Sequence, residues 1–189
     1  MSMMWKGVPI PVLISLLLLV LGGLLHIVGL ATPYWHSVSR TNALVRDDVF
    51  AHHGLWAACS SEIMDIVDCS SHSDVEGYIV GVRALEVLAL LCGAICIIVT
   101  GIWFFLQITK HRLLMMISAL GSGFVAGLFG LVGIIVYAAE INSRDRESII
   151  PGEVYNYTLD WSFALCTLSS CLVVIATGLI ALGTRMMDR

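Results

Sequence analysis

The chain has 189 residues, of which 58% are hydrophobic and 13% charged, with a formal net charge of −4 and a mean hydropathy of +0.92. A water-soluble domain of this length needs far more polar surface, so composition argues against one and for a membrane protein. The slight acidity, without a basic cluster interleaved with aromatics, argues against a nucleic-acid partner.

Met1 to Lys6 is a very short start with Trp5 at an expected inner interface. An apolar run over 8–30 is long enough to cross about 30 Å of hydrocarbon. Pro9 and Pro11 fall in its first turn, where a missing N–H costs little. The run is too long for the apolar part of a signal peptide, so it is read as a retained helix. A polar loop over 31–77 follows. Ala43–Arg46, Val49–His52 and Gly54–Cys59 read as short strands, with turn chemistry at Asp47-Asp48 and His53-Gly54. Ser60-Ser61-Glu62 turns the chain and Ile63–Cys69 returns as another strand, which sets Cys59 opposite Cys69. A disulfide between them would stabilise the loop by roughly 2–4 kcal/mol and requires an oxidising compartment. Two separate buried thiols are the other reading. Cys92, Cys96, Cys166 and Cys171 lie within apolar runs and read as small packing residues.

The second span covers 78–106, the third 113–139 and the fourth 161–183, making one domain of four spans without linker or repeat. The link between spans two and three is short and basic, with Lys110, His111 and Arg112. The loop over 140–160 carries a Pro151-Gly152 turn and a strand-like Val154–Thr158. Tyr34, Trp35, Tyr78, Tyr137, Tyr155 and Trp161 are placed at the outer interface, Trp5 and Trp103 at the inner one. Cations concentrated in the short segments, Lys6, Lys110, Arg112, Arg185 and Arg189, favour cytoplasmic termini, although Arg40, Arg46, Arg144 and Arg146 then lie outside.

Ionisable residues within spans need partners. Arg83 and Glu86 share a helix face and can pair. His26 lies eight residues inward from Tyr34 and Glu86 eight inward from Tyr78, which puts both about 12 Å below the outer interface. The first two spans are therefore expected to meet through His26 and Glu86, with Arg83 reaching outward to the loop. In the third span Ala119, Gly123 and Gly127 recur at helical spacing beside Ser118, Ser122, Ala126 and Gly130. Such a stripe serves close packing within the bundle or contact with a second copy. Asp65, Asp68 and Asp74, with Asp47, Asp48, Glu62 and Glu76, make the first loop acidic. The face is either an ordinary solvated one or, lining a pore, a filter that favours cations. Asn156-Tyr157-Thr158 is a glycosylation sequon, or simply part of a strand. No catalytic set, phosphate-cradling loop, cofactor motif or metal site stands out. His36, His52, His53 and His72 share the first loop with acids and two cysteines, but His52 and His53 are adjacent and would point to opposite faces of a strand, and oxidised cysteines cannot act as ligands.

Trp35, Gly54-Leu55-Trp56, Cys59 and Cys69, ordered in the first outside loop of four spans, with Arg83 opening the second helix, resemble the signature of the claudin superfamily. That superfamily also holds the peripheral myelin and epithelial membrane proteins and the AMPA-receptor regulatory tetraspans. The resemblance covers essentially the whole chain. It implies an all-α membrane bundle of four transmembrane helices, left-handed, topped by a small extracellular antiparallel β-sheet of about five strands, the last from the second loop. It also implies that Trp35, Gly54, Leu55 and Trp56 anchor the sheet to the bundle.

By the same resemblance the chain would be a structural, non-enzymatic protein of the plasma membrane, multi-pass, at cell-cell contacts. It would assemble with copies of itself in one membrane and with similar proteins on the opposing cell, forming or modulating a paracellular barrier or pore as at a tight junction. The alternatives are an auxiliary subunit of an ion channel or receptor, or a peripheral-myelin-like membrane organiser. The chain departs from junctional claudins by ending at Thr184–Arg189, so attachment to a PDZ scaffold is not expected. It lacks the cysteines near the inner membrane ends that are commonly palmitoylated in that group. Tyr155-Asn156-Tyr157 followed by Trp161-Ser162-Phe163 looks more like the epithelial membrane proteins and receptor-regulatory tetraspans, which leaves the subfamily open.

Overall fold

The computed structural model describes residues 4–5, 8–42, 45–60, 68–71, 76–106, 112–147, 149–150 and 153–187. Four long helices carry it: α1 (Ile10–Ala31), α2 (Gly77–Leu106), α3 (Arg112–Glu147) and α4 (Trp161–Met187). All four are long and apolar enough to span a membrane. Their outward faces stay apolar, with Leu17, Ile98, Phe105, Phe124, Ile135 and Ile175 among the exposed side chains. That surface is stable only in lipid, so the chain is a multi-pass membrane protein.

The strands are β1 (Met4–Trp5) and β2 (Val8–Pro9), which pair with each other, then β3 (His36–Asn42), β4 (Val45–His53), β5 (Ala57–Ser60), β6 (Asp68–Ser71), β7 (Ile149–Ile150) and β8 (Glu153–Leu159). The last six form one antiparallel sheet in the order β6-β5-β4-β3-β8-β7. Strand β8 lies against β3, with Ser37 opposite Thr158 and Ser39 opposite Asn156. The two loops therefore build a single sheet at one end of the bundle.

Several boundaries differ from the sequence reading. Val8 belongs to β2, and α1 starts at Ile10 behind an extended Pro9. Strand β3 was not expected, because its residues are mostly polar. It holds because β4 and β8 flank it and satisfy its backbone on both sides. Asp47-Asp48 is not a turn but lies within β4, where the β3–β4 register shifts between Arg40 and Asn42. Helix α3 does not stop near Ala139 but continues to Glu147. Polar residues there are good enough helix formers, and Arg144 holds the extension by a bidentate pair with Glu76 before α2, assisted by Glu140 one turn back at 3.4 Å.

Inside the bundle α1 packs chiefly on α4, α2 on α3, and α3 on α4, with a lighter contact between α1 and α2. One core cluster gathers Val12, Leu19, Cys96, Trp103, Phe104, Ala126, Val173, Ala176 and Ile180. Trp103, in the last turn of α2, is buried among these helices. The second cluster lies beneath the sheet, with Leu30, Trp35, Leu55, Val82, Ile134, Tyr137, Ile141 and Cys166. The stripe of Ala119, Gly123 and Gly127 is buried within the bundle. A methyl group on Gly123 would sit 2.4 Å from Thr177 Oγ1, and one on Gly127 2.7 Å from a methyl of Val174. The close approach is made to α4, so that stripe is not available to a second copy.

Candidate functional site

The sheet is fastened to the bundle at the end of α1, and each fastening follows from an elementary need. The last carbonyls of a helix have no partner within it. Here Val28 O receives the Thr32 N–H at 3.2 Å and the Thr32 hydroxyl at 2.7 Å. Gly29 O receives the indole N–H of Trp35 at 2.8 Å, and Leu30 O that of Trp56 at 2.9 Å. Two tryptophans distant in sequence thus close two consecutive carbonyls. The ring of Trp35 is fully buried, edge-on to Tyr137 at 4.9 Å and near Phe163 at 6.0 Å. Its backbone joins both sides of the sheet, donating to His53 O at 2.9 Å and accepting from Asp160 N–H at 3.0 Å.

Gly54 is where the loop crosses the start of the sheet. A Cβ there would lie 2.4 Å from Pro33 Cα and 3.0 Å from Thr32 O, and backbone atoms cannot step aside as a side-chain tip can. Only glycine fits. Leu55 next to it is fully buried in the lower cluster, and its carbonyl accepts Arg83 Nε–H at 2.6 Å. The Arg83 guanidinium also covers the Trp56 ring at 5.1 Å. Arg83 is therefore directed to the loop, as one of the two sequence expectations had it, and is not paired with Glu86.

Beyond Trp56 the chain enters β5, whose Cys59 stands opposite Cys69 of β6 and is bonded to it, with Cα atoms 4.1 Å apart. Asp68 lies in β6 and is exposed. Asp65 and Asp74 lie outside the described residues, as does the expected strand start at Ile63. Asn156 is half-buried within β8 and paired in register with Ser39.

Two further groups of residues were not read from the sequence. Asp160 links three elements, β3, α4 and β4: its carboxylate accepts the Ser37 hydroxyl at 2.6 Å and the Trp161 N–H at 2.7 Å, and lies 3.6 Å from His52 Nδ1. An Asp immediately before a long apolar helix is a capping signal that would have pointed to it. Tyr137 bonds His36 Nδ1 through its hydroxyl at 2.7 Å. It lies beneath the sheet and not at a lipid interface, since a tyrosine near a helix end gives the same sequence signal in either place.

Lower in the bundle, His26 of α1 meets Glu86 of α2. His26 Nε2 stands 3.1 Å from the Glu86 backbone carbonyl and 3.4 Å from its Oε2. Cys166 of α4 joins them, and the ligating atoms of the three side chains all lie within 4.8 Å of one another. Beside them a crevice of about 240 Å³ runs between α1 and α2, lined mostly by apolar groups such as Leu19, Ile27, Leu90 and Ile97, with His26, Ser169 and Ser170 as its polar part.

Four membrane-crossing helices capped at one end by a disulfide-closed antiparallel sheet define the class: a sheet-capped tetraspan. The chain matches the model of the PMP-22/EMP/MP20/Claudin family over residues 10–181. It belongs to that family. Comparison with curated proteins finds no match.

Proposed function

We propose that this chain is a structural protein of cell-cell contacts, with the sheet outside the cell and both termini in the cytoplasm. It would assemble in the plane of the plasma membrane and meet similar proteins across the gap, forming or modulating a paracellular barrier or pore. The observation that carries this reading is the rigid attachment of the sheet. Trp35, Trp56 and Arg83 hold it at fixed height over the bundle and the Cys59–Cys69 bond ties its β5 and β6 strands together, which suits a platform for contacts better than a mobile loop would. The disulfide favours the extracellular side. The edge strand β6 adds an exposed polar border at which neighbouring platforms can meet. Asp68, with Asp65 and Asp74 from the sequence, would make such a border favour cations over anions. The work is done by assembly and electrostatic filtering, with no bond made or broken.

Expression in a leaky epithelial monolayer tests this. The reading expects enrichment at cell borders, a changed transepithelial resistance, and dilution potentials that shift toward cation preference. Unchanged resistance without border enrichment contradicts it. Co-purification of a channel or receptor whose gating changes would instead assign the chain as an auxiliary subunit.

A further inference from the structure

Three metal-ligating side chains from three helices converge inside the bundle. We propose that His26, Glu86 and Cys166 form a binding site for one zinc-like divalent cation inside the membrane-spanning bundle.

Glu86 is the starting point. Its side chain is fully buried, and neither carboxylate oxygen has a hydrogen-bond partner among the described residues. A buried carboxylate left without donors is unfavourable. Arg83, one turn away, is committed to Leu55 and Trp56. The nearest cationic candidate, His26 Nε2 at 3.4 Å from Oε2, lies closer to the Glu86 backbone carbonyl. What the carboxylate lacks is a positive centre. Imidazole nitrogen, carboxylate oxygen and thiol sulfur together suit zinc better than magnesium or calcium, which prefer oxygen alone.

Space has been made for these atoms. A Cβ on Gly133 of α3 would lie 2.5 Å from Glu86 Oε1, and one on Gly29 of α1 would lie 2.7 Å from Cys166 Sγ. Gly133 stands on the helix that supplies no ligand, and Gly29 on the helix of His26, where a Cβ would also meet Ser162 O at 2.8 Å. Tetrahedral zinc sets its nitrogen, oxygen and sulfur ligands about 3.3–3.5 Å apart. The His26–Glu86 separation of 3.4 Å already matches, and within the 4.8 Å that bounds the triad the longest gap closes by about 1 Å of side-chain movement. A water would take the fourth position.

The surroundings fit as well. Ser169 Oγ lies 3.4 Å from His26 Nδ1 and gives its own proton to Gly22 O at 2.8 Å, so it can accept a proton from Nδ1. That arrangement holds the ring with Nε2 toward the metal, as ligating histidines usually require. On binding, the thiol proton of Cys166 leaves to solvent and the imidazole proton moves from Nε2 to Nδ1, giving up the bond to the Glu86 carbonyl for one to Ser169 Oγ. One dication, one thiolate and one carboxylate sum to zero charge, which an interior of low dielectric tolerates far better than a lone carboxylate. The ion would tie α1, α2 and α4 together, joining helices that pack more lightly on each other than α1 on α4 or α2 on α3 do.

Tag-free, full-length protein in detergent micelles, reduced internally only at thiols outside the disulfide, is titrated with Co²⁺ as a spectroscopic stand-in for zinc. The expected result is one Co²⁺ per chain with a thiolate-to-cobalt charge-transfer band and the visible bands of a tetrahedral site, displaced by Zn²⁺. Cys166→Ser abolishes the charge-transfer band, and Glu86→Gln weakens binding at least about tenfold, whereas Cys92→Ser and Cys171→Ser leave both unchanged. Absence of the band in monodisperse wild-type protein overturns the proposal, whatever the variants do. So does a band that persists in Cys166→Ser.

Discussion

Replacing Trp35 by Phe separates the two roles of this residue, because most of the ring is kept and the indole N–H is lost. Gly29 O then loses its donor at 2.8 Å in a place water does not reach, since Trp35 is fully buried. A buried carbonyl left without a partner costs about 1–3 kcal/mol. The smaller ring adds about 1 kcal/mol of lost packing against Tyr137 and Phe163, for a total of about 2–4 kcal/mol. Trp56 makes the same kind of bond to the next carbonyl, but its side chain is 44% exposed. Water can replace the lost donor there, and Trp56→Phe should cost about 1 kcal/mol or less. Reversible unfolding in mixed micelles, driven by rising SDS and followed by far-ultraviolet circular dichroism, gives both numbers on one scale. Equal costs for the two variants, or a Trp35→Phe protein as stable as wild type, would refute the claim that the first tryptophan closes a buried helix end.

Further outcomes follow from the same contacts. Reducing the protein, or substituting Cys59→Ser, should lower stability by about 2–4 kcal/mol in the same assay, and the two treatments together should do no more than either alone. Gly54→Ala meets Pro33 Cα at 2.4 Å and should destabilise by about 1–3 kcal/mol or reduce the yield of monodisperse protein; a silent substitution would show that the loop crosses elsewhere. Arg83→Lys keeps the charge but loses the Nε–H bond to Leu55 O, at about 1–3 kcal/mol. Arg144→Ala breaks a pair that is about one-third exposed on the arginine side and should cost about 1 kcal/mol at most, which makes it the control for a charge removed near the same end of the bundle.

What could be read from the sequence was what depends on composition and spacing. Apolar length located all four helices, and the paired cysteines around a turn located the β5–β6 hairpin. Equal depth from the two interface tyrosines brought His26 to the level of Glu86, where the structure also sets them. The rest depends on neighbours from elsewhere in the chain. Strand β3 has no alternating apolar pattern because its stability comes from pairing with β4 and β8. Cys166 looked like one small packing residue among four, since nothing in its own helix shows that α1 and α2 aim His26 and Glu86 at it. Helix α3 runs on past its apolar part because Glu76, just before α2, holds Arg144. Tyr137 carries the signal of an interface residue, yet the sheet above it leaves no lipid for it to face.

The account rests on a covalently closed sheet standing over a membrane bundle, and peptide mapping without reduction tests it most directly. Protein taken from intact cells in the presence of a thiol-blocking reagent is cut at acidic residues, which separates Cys59 from Cys69 at Glu62, Asp65 and Asp68. The account predicts the two peptides joined by a bond between Cys59 and Cys69, with Cys92, Cys96, Cys166 and Cys171 reduced. Recovery of both Cys59 and Cys69 as blocked free thiols from correctly inserted protein would contradict it.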